Sequence, residues 1–223
     1  MAVRAVNAPG THAGQRGDLE AFVEAFLPEE AAVTAARARS IEVGSYEPSP
    51  AVGATLAFLA ALVDARNVAE SGTGCGVSAL WLLRGMPTDS ALTSIDAESE
   101  FARLAREALN DAEISSHRVR LITGEPLEVL ARLTDGAYDL LVLRNEPRDL
   151  ALAVEHAHRL LRAGGVLVID RALWAGRVPD PAQRDELTIA MRELGKAIRA
   201  DVSRWKPLLL PMGQGLILAI RRS

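Results

Sequence analysis

Three glycines at alternate positions, Gly72, Gly74 and Gly76, follow a short apolar stretch that ends in an acid, Glu70. A segment with helical character begins directly afterwards at Val77. Because glycine lacks a Cβ atom, the turn can adopt positive φ angles and a ligand can lie against the backbone. The next helix offers free N–H groups at its N-terminus. The pattern predicts a strand, a turn and a helix of an α/β fold, with a nucleotide-type cofactor at the turn.

The acid before the glycines favours one class of cofactor. A pyrophosphate would be repelled by Glu70, whereas the amino group of a ligand such as S-adenosylmethionine would be attracted to it. The dinucleotide pattern G-x-G-x-x-G would also require a glycine at position 77, which is a valine. We therefore expect S-adenosylmethionine, with S-adenosylhomocysteine as its product.

A second acid, Asp96, ends the next predicted strand. Open parallel sheets bind their ligands at the C-terminal ends of the strands. A carboxylate there can accept hydrogen bonds from both ribose hydroxyls of an adenosyl group. The alternative is that Asp96 caps the helix beginning near Glu98. Its pairing with the glycine turn favours the ligand.

From residue 67 onward, strand patterns alternate with helical patterns, as in a doubly wound sheet. The last two strand patterns, Lys206–Leu210 and Leu216–Ile220, are separated by five residues, which is too short for a parallel crossover. We predict an α/β fold with a mostly parallel seven-stranded sheet and a C-terminal antiparallel strand. The other predicted strands are Asn67–Ser71, Ala91–Ile95, Arg118–Ile122, Tyr138–Leu143 and Gly165–Ile169.

The chain is expected to divide into a mobile leader at residues 1–17, N-terminal helices at 18–66 and a cofactor-binding core at 67–223. Pro28 should separate the first two helices, and Pro50 suits the first turn of the next. Gly164 and Gly165 are predicted to end a later helix. The helices predicted in the core are Val77–Arg84, Ser99–Asp111, Pro126–Leu133, Leu150–Leu161 and Pro181–Ala200.

Composition excludes several classes of function. With 223 residues, 49% of them apolar, the chain can form one well-packed domain, and its longest apolar run is too short to cross a bilayer. A net charge of −4 without a basic run argues against nucleic-acid binding. One cysteine and four scattered histidines indicate neither a disulfide nor a metal centre. We expect a cytoplasmic protein that acts on small molecules.

Three segments carry a family resemblance: residues 73–82, residues 159–170 and residues 173–178. Together they resemble class I S-adenosylmethionine-dependent methyltransferases of the catechol and caffeoyl-CoA O-methyltransferase type, particularly actinobacterial members. The resemblance implies that Glu70 and the backbone of residues 72–76 hold the methionine part of the cofactor and that Asp96 holds the ribose. It also implies a homodimer. The remaining residues assigned to the cofactor are Thr73, Ser78, Ala97, Gly124, Glu125 and Pro126, of which the last three should lie beside the adenine.

The chain departs from the family where the family binds a divalent cation. The family has an Asp after the fourth strand, a nearby Lys, and an Asp-Asn pair after the fifth strand. Here Arg144, Pro147 and Arg171 stand at the first Asp, the Lys and the Asn positions, and only Asp170 remains. A guanidinium offers no metal ligand and adds like charge. We therefore expect no divalent metal at the usual place. A shifted site formed by Asn145, Glu146 and Asp170 is the less favoured alternative, because metal geometry tolerates little displacement.

Three hypotheses follow. In the favoured one, Arg144 and Arg171 hold an anionic or phenolic oxygen of the acceptor, and Asp170 or Glu146 accepts its proton. In the second, Arg144 pairs with Glu146 or Asp170 in a structural network, and the chain binds the cofactor without catalysis. The third, an oxidoreductase, is disfavoured by Val77. Trp174 is expected to line the acceptor pocket or a subunit contact, and Tyr46 to cover the cofactor.

Overall fold

The computed structural model describes the backbone of residues 12–223 and the side chains of residues 17–223. Its seven strands form one sheet in the order β3-β2-β1-β4-β5-β7-β6. Strands β1 to β5 are parallel, and β7 is antiparallel to both β5 and β6, as predicted. The strands are β1 Asn67–Ser71, β2 Ala91–Asp96, β3 Val119–Thr123, β4 Tyr138–Leu143, β5 Leu161–Ile169, β6 Trp205–Leu210 and β7 Leu216–Arg221.

The helices cover both faces of the sheet. Alternate residues of β4 show this, because Leu140 and Val142 pack with α2 to α5 whereas Leu141 and Leu143 pack with α6 to α8. The strand order reverses between β1 and β4, and such a reversal opens a crevice at the C-terminal ends of the strands. The helices are α1 His12–Glu24, α2 Ala31–Glu42, α3 Pro50–Leu62, α4 Val77–Gly85, α5 Ser99–Asp111, α6 Pro126–Arg132, α7 Pro147–Leu160 and α8 Glu186–Ala200.

The N-terminal helices differ in one boundary from the prediction. Helix α1 begins at His12, so it includes six residues of the predicted leader, and residues 1–11 lie outside the described part of the chain. Pro28 lies between α1 and α2, as expected. The Glu24 carboxylate accepts hydrogen bonds from Ser49 Oγ at 2.7 Å and from Ala51 N at 2.8 Å. This acid therefore fixes the start of α3 from the end of α1.

Helices α1 and α3 expose the apolar side chains of Phe22 and Phe58, and Phe26 is exposed in the connection after α1. The homodimer expected from the family resemblance stays a prediction. None of the helices in the described residues is long and apolar enough to cross a membrane.

The predicted helix end at Gly164 is wrong. Helix α7 ends at Leu160, and Leu161 already pairs with Tyr138 in the sheet. Gly164, with a φ of 77°, lies in an irregular part of β5 where the register between β4 and β5 shifts. The glycine pair therefore provides a strand irregularity.

Helices α3 and α4 approach so closely that a glycine is needed on each. A Cβ atom on Gly53 would lie 2.3 Å from the Trp81 ring, and one on Gly85 would lie 2.0 Å from the Ala57 carbonyl oxygen. The ring can shift, but the backbone of Ala57 is fixed by its helix. Gly85 is therefore the less replaceable of the two.

We expect Gly85→Ala to lower the free energy of unfolding by about 2 kcal/mol or more, because the added methyl group forces α3 and α4 apart. Gly195→Ala in α8 is the matched control, since its nearest foreign atom, Ile217 Cδ1, would lie at an ordinary 3.8 Å. The control should gain about 0.5–1 kcal/mol from helix propensity. Urea unfolding measures both, and equal stabilities of the two variants would contradict the close approach.

Candidate active site

A cleft of about 510 Å³ opens at the C-terminal ends of β1, β2, β4 and β5, where the strand order reverses. Its size and position suit a small-molecule cofactor. Its lining residues are Gly44, Ser45, Tyr46, Gly72, Gly74, Asp96, Ala97, Glu98, Phe101, Glu125, Pro126, Arg144, Asn145, Glu146, Asp149 and Arg171.

Most of the residues singled out from the sequence meet at this cleft. Six of those assigned to the cofactor line it: Gly72, Gly74, Asp96, Ala97, Glu125 and Pro126. So do three of the four residues assigned to the acceptor: Arg144, Glu146 and Arg171. The others, which do not line the cleft, are Glu70, Thr73, Gly76, Ser78, Gly124 and Asp170. Their roles toward a ligand stay predictions.

Several of these other residues stabilise the glycine turn through contacts with β2 and α5. Thr73 Oγ1 lies 2.6 Å from Ser94 Oγ, which donates to the buried Glu70 carboxylate at 2.7 Å. Gly76 has a φ of 94°, and a Cβ atom there would lie 3.1 Å from the Cα atom of Ala105 in α5. Close packing with α5 is thus one reason for glycine at position 76.

Asp96 joins the turn to the end of β2. Its Oδ2 atom accepts a hydrogen bond from Gly74 N at 2.9 Å, and its Oδ1 atom accepts one from Glu98 N at 3.1 Å. The N-cap position of α5 is Glu98, so Asp96 binds the turn before the helix and is not its N-cap. A carboxylate has about four acceptor positions, so two remain for ribose hydroxyls.

Every backbone N–H group of the glycine turn already has a partner within the protein. Gly72 N and Thr73 N donate to Ile95 O at 2.8 and 3.3 Å, and Gly74 N donates to Asp96. Gly76 N donates to Thr73 O at 3.2 Å, and Cys75 N donates to the Glu47 carboxylate through a short hydrogen bond. The turn therefore offers a ligand no free N–H group in this conformation.

Arg144 is the most heavily bonded side chain of the site and is only 7% exposed. Its Nη1 atom donates at 2.9 Å both to Gly72 O and to Ser78 Oγ. Its Nη2 atom donates to Tyr46 O through a short hydrogen bond and to Glu47 Oε2 at 3.4 Å. Its Nε atom lies 3.7 Å from Asp170 Oδ2. One guanidinium thus connects the glycine turn, the end of β5 and the segment before α3.

The two carboxylates beside Arg144 share its charge. Burial raises the pKa of Glu47 and of Asp170, and the Arg144 guanidinium lowers each only in part. Burial alone would lower the pKa of Arg144, but Glu47 and Asp170 outweigh it and raise that pKa. Arg144 therefore stays charged and compensates the buried acids.

The expected ion pairs of Arg144 are found only in part. Asp170 contacts it, whereas Glu146 lies 3.9 Å from Arg171 and is not a partner of Arg144. The principal partner, Glu47, was not predicted. A buried arginine at a strand end requires a buried acid, but Glu47 lies 97 positions earlier and no spacing connects the two residues.

Arg171 is held between two aromatic rings at the other wall. Its guanidinium carbon lies 5.0 Å from the centroid of Tyr46 and 5.1 Å from that of Trp174. Its Nη2 atom donates to Arg144 O at 3.0 Å. Tyr46 lines the cleft, whereas Trp174 does not line it and contacts the lining residue Arg171. The expected cover of the cofactor by Tyr46 stays a prediction. Arg171, Trp174 and Ala175 all have positive φ angles, a strain that concentrates at functional loops.

The donor set near Asp170 does not fit a divalent cation. The Arg144 guanidinium lies 3.7 Å from Asp170 Oδ2, where a metal would need that oxygen. Glu146 is half exposed and lies beside Arg171. Among the described residues, no group of three or more His, Cys, Asp or Glu residues is arranged to hold a metal ion.

Replacing Arg144 tests its structural role. We expect Arg144→Met to lower the free energy of unfolding by about 3–5 kcal/mol, because Glu47 and Asp170 would remain buried without a counter-charge. Arg103→Met is the control, since the Arg103 pair with Glu100 is exposed and should leave the unfolding midpoint unchanged. Urea unfolding compares them. A loss no larger than that of the control would mean that the network contributes little.

Glu70 should make stability depend on pH. It is fully buried, its Oε2 atom has no hydrogen-bond partner among the described residues, and burial raises its pKa to about 7. As pH rises, the folded state keeps the Glu70 proton to a higher pH than the unfolded state does. The free energy of unfolding therefore falls between about pH 4.5 and about pH 7 and is constant at higher pH. The total decrease is about 3 kcal/mol.

Glu70→Gln should remove that decrease, so its stability relative to wild type should rise over the same pH range. Urea unfolding between pH 4.5 and 8 measures the difference, and the exposed Glu128→Gln is the control. Parallel curves for wild type and Glu70→Gln would show that Glu70 does not titrate in this range.

Comparison with known proteins places this chain in a family. The family model described as O-methyltransferase matches residues 25–222. A putative O-methyltransferase of Mycobacterium avium is 46% identical over 215 residues, which is 96% of either chain. A crystal structure from Corynebacterium glutamicum superposes with a TM-score of 0.87 at 32% identity, covering 94% of this chain and 98% of that one.

A further solved structure contains the cofactor expected from the sequence. TomG, an O-methyltransferase of Streptomyces achromogenes involved in tomaymycin synthesis, was crystallised in complex with S-adenosylmethionine. It superposes with a TM-score of 0.82 at 26% identity, and the match covers 92% of this chain and 96% of TomG. The resemblance in sequence, the doubly wound sheet and the family match agree, and the chain belongs to the O-methyltransferase family.

Proposed function

We propose that the protein transfers a methyl group from S-adenosylmethionine to a hydroxyl or carboxylate oxygen of a small molecule, without a divalent metal. The observation that carries this proposal is the position of the Arg144 guanidinium, 3.7 Å from Asp170 Oδ2 and bonded to Glu47. The resemblance to the catechol-type enzymes implies a metal at this position, and the Arg144 guanidinium already supplies a positive charge there. Arginine supplies positive charge but no open coordination position.

The cleft supports an adenosyl ligand. Asp96 ends β2 at the cleft and keeps acceptor positions for ribose hydroxyls. Ala97, Glu125 and Pro126 line the adjoining wall, where the adenine is expected. The S-adenosylmethionine bound to TomG, a relative with the same fold, supports this choice.

The acceptor side depends on Arg171 and Glu146. All hydrogen-bond donors of the Arg144 Nη atoms already have protein partners, so Arg171 is the better candidate to attract an ionised or phenolic oxygen. Glu146 lines the same wall 3.9 Å from Arg171 and is half exposed, whereas Asp170 is 3% exposed and does not line the cleft. Glu146 is therefore the proposed proton acceptor.

In the proposed reaction the acceptor oxygen attacks the sulfonium methyl carbon in line with the bond to sulfur. The methyl carbon forms a bond to oxygen while its bond to sulfur breaks, and the electron pair of that bond stays on sulfur. A hydroxyl acceptor gives its proton to Glu146, and S-adenosylhomocysteine leaves. An ionised carboxylate needs no base.

A second candidate function is a cofactor-binding protein without catalysis. The pairing of both Arg144 Nη atoms with protein acceptors and the absence of a free N–H group in the glycine turn favour it. Both candidates retain the adenosyl site at Asp96, so binding alone does not separate them.

Calorimetric titration of S-adenosylhomocysteine tests the donor site. We expect equal affinity in EDTA and in excess Mg²⁺, and Asp96→Asn should weaken binding about tenfold or more because the ribose loses a charged acceptor. Glu98→Gln, a neighbouring cleft residue, is the control and should change the affinity little. Unchanged affinity in Asp96→Asn would refute the ribose assignment, and binding that requires Mg²⁺ would refute metal independence.

Methyl transfer to a panel of phenols and carboxylates separates the two candidates. Activity that persists in EDTA and is lost in Arg171→Met would support the enzyme. Binding of S-adenosylhomocysteine without transfer to any acceptor would support the second candidate.

A further inference from the structure

We propose that Glu47 competes with the carboxylate of the cofactor's amino-acid end for the glycine turn. Adenine nucleosides that lack this end, such as 5′-methylthioadenosine, are then accepted without rearrangement, whereas S-adenosylmethionine and S-adenosylhomocysteine must displace Glu47. The inference rests on the proposed function, which assigns the adenosyl group to Asp96 and the methionine end to residues 72–76.

The hydrogen bonds of the glycine turn are the first support for this proposal. The N–H groups of residues 72–76 all donate to protein acceptors, four of them to atoms of strand β2 or of the turn itself. The exception is Cys75 N, which donates to the carboxylate of Glu47, a residue outside both β2 and the turn. Cys75 N is thus the one N–H group of residues 72–76 whose acceptor can be exchanged while the other hydrogen bonds of the turn are kept.

The second support is the space above Gly74. A Cβ atom on this glycine would lie 2.3 Å from Glu47 Oε1 and 3.1 Å from Glu47 Oε2. The room created by the missing side chain is therefore filled by a carboxylate of the same chain. A carboxylate of a ligand that enters this room would meet the same atoms.

The third support is the counter-charge. Glu47 Oε2 accepts a hydrogen bond from Arg144 Nη2 at 3.4 Å, and the Glu47 side chain is only 1% exposed. The cofactor's α-carboxylate has the same charge and the same acceptor geometry as Glu47. It would take over both Arg144 and Cys75 N, and Arg144 would keep Asp170 as its other acidic neighbour.

The adenosyl part of the cleft is not involved in this exchange. Asp96, Ala97, Glu125 and Pro126 line the open region, and none of their side chains contacts Glu47 through a hydrogen bond or an ion pair. Glu47 belongs to the connection between α2 and α3, residues 43–49, which also contains Gly44 with a φ of 68°.

Calorimetry with S-adenosylhomocysteine and 5′-methylthioadenosine on wild type, Glu47→Gln and Glu47→Ala tests the proposal. Removing the competing carboxylate should raise the affinity for S-adenosylhomocysteine about tenfold and leave that for 5′-methylthioadenosine within about twofold, with a smaller effect in Glu47→Gln. Glu42→Ala, an exposed acid at the end of α2, is the control and should change neither affinity.

An unchanged ratio of the two affinities in both Glu47 variants would overturn this inference and leave the proposed function intact, whereas binding of neither ligand to wild type would remove both. Circular dichroism identifies variants that do not fold. If both Glu47 variants fail to fold, the wild-type ratio decides, and a preference for S-adenosylhomocysteine greater than about tenfold would overturn the proposal.

Discussion

The site depends on the hydrogen bonds and ion pairs of the buried Arg144 guanidinium. It lies at the C-terminal end of β4, next to the reversal of strand order, and contacts residues from three other parts of the chain. Gly72 belongs to the turn after β1, Asp170 follows β5, and Glu47 precedes α3. A charge buried at this point requires acids around it. The positions of Glu47 and Asp170 follow from that requirement.

The fold could be predicted well because its signals are local. The apolar strands, the glycine turn and the five-residue connection between the last two strands predict the order of elements and the antiparallel end. Helix α5 has the predicted bounds, Ser99–Asp111. Gly164 was wrongly predicted as a helix end because a glycine with positive φ serves equally in a cap and in a strand irregularity.

The site was harder to predict from the sequence than the fold, because its most important contacts join residues that are far apart in the chain. Asp96 could be found, since a strand end and a glycine turn both point to it. Glu47 could not, because its contacts with Cys75 and Arg144 span 28 and 97 positions. The hydrogen-bond partners of Arg144 could not be predicted either. The sequence led us to expect that Arg144 contacts the acceptor, whereas in the structure its Nη atoms donate to Gly72 O of the glycine turn and to Tyr46 O.

The positive charge at position 144 balances the buried acids of the network. In the family that the sequence resembles, an aspartate at this position together with a divalent cation carries a net charge of about +1, which is also the charge of an arginine. Asp170 therefore keeps an equivalent counter-charge. What the guanidinium does not reproduce is coordination, because it cannot take two oxygens of an acceptor as ligands. Under the proposed function, orientation of the acceptor would come from Arg171 and the rings on either side of it, Tyr46 and Trp174. Under the proposed function, the substitution would preserve the net charge at this position and change which acceptors the cleft can hold.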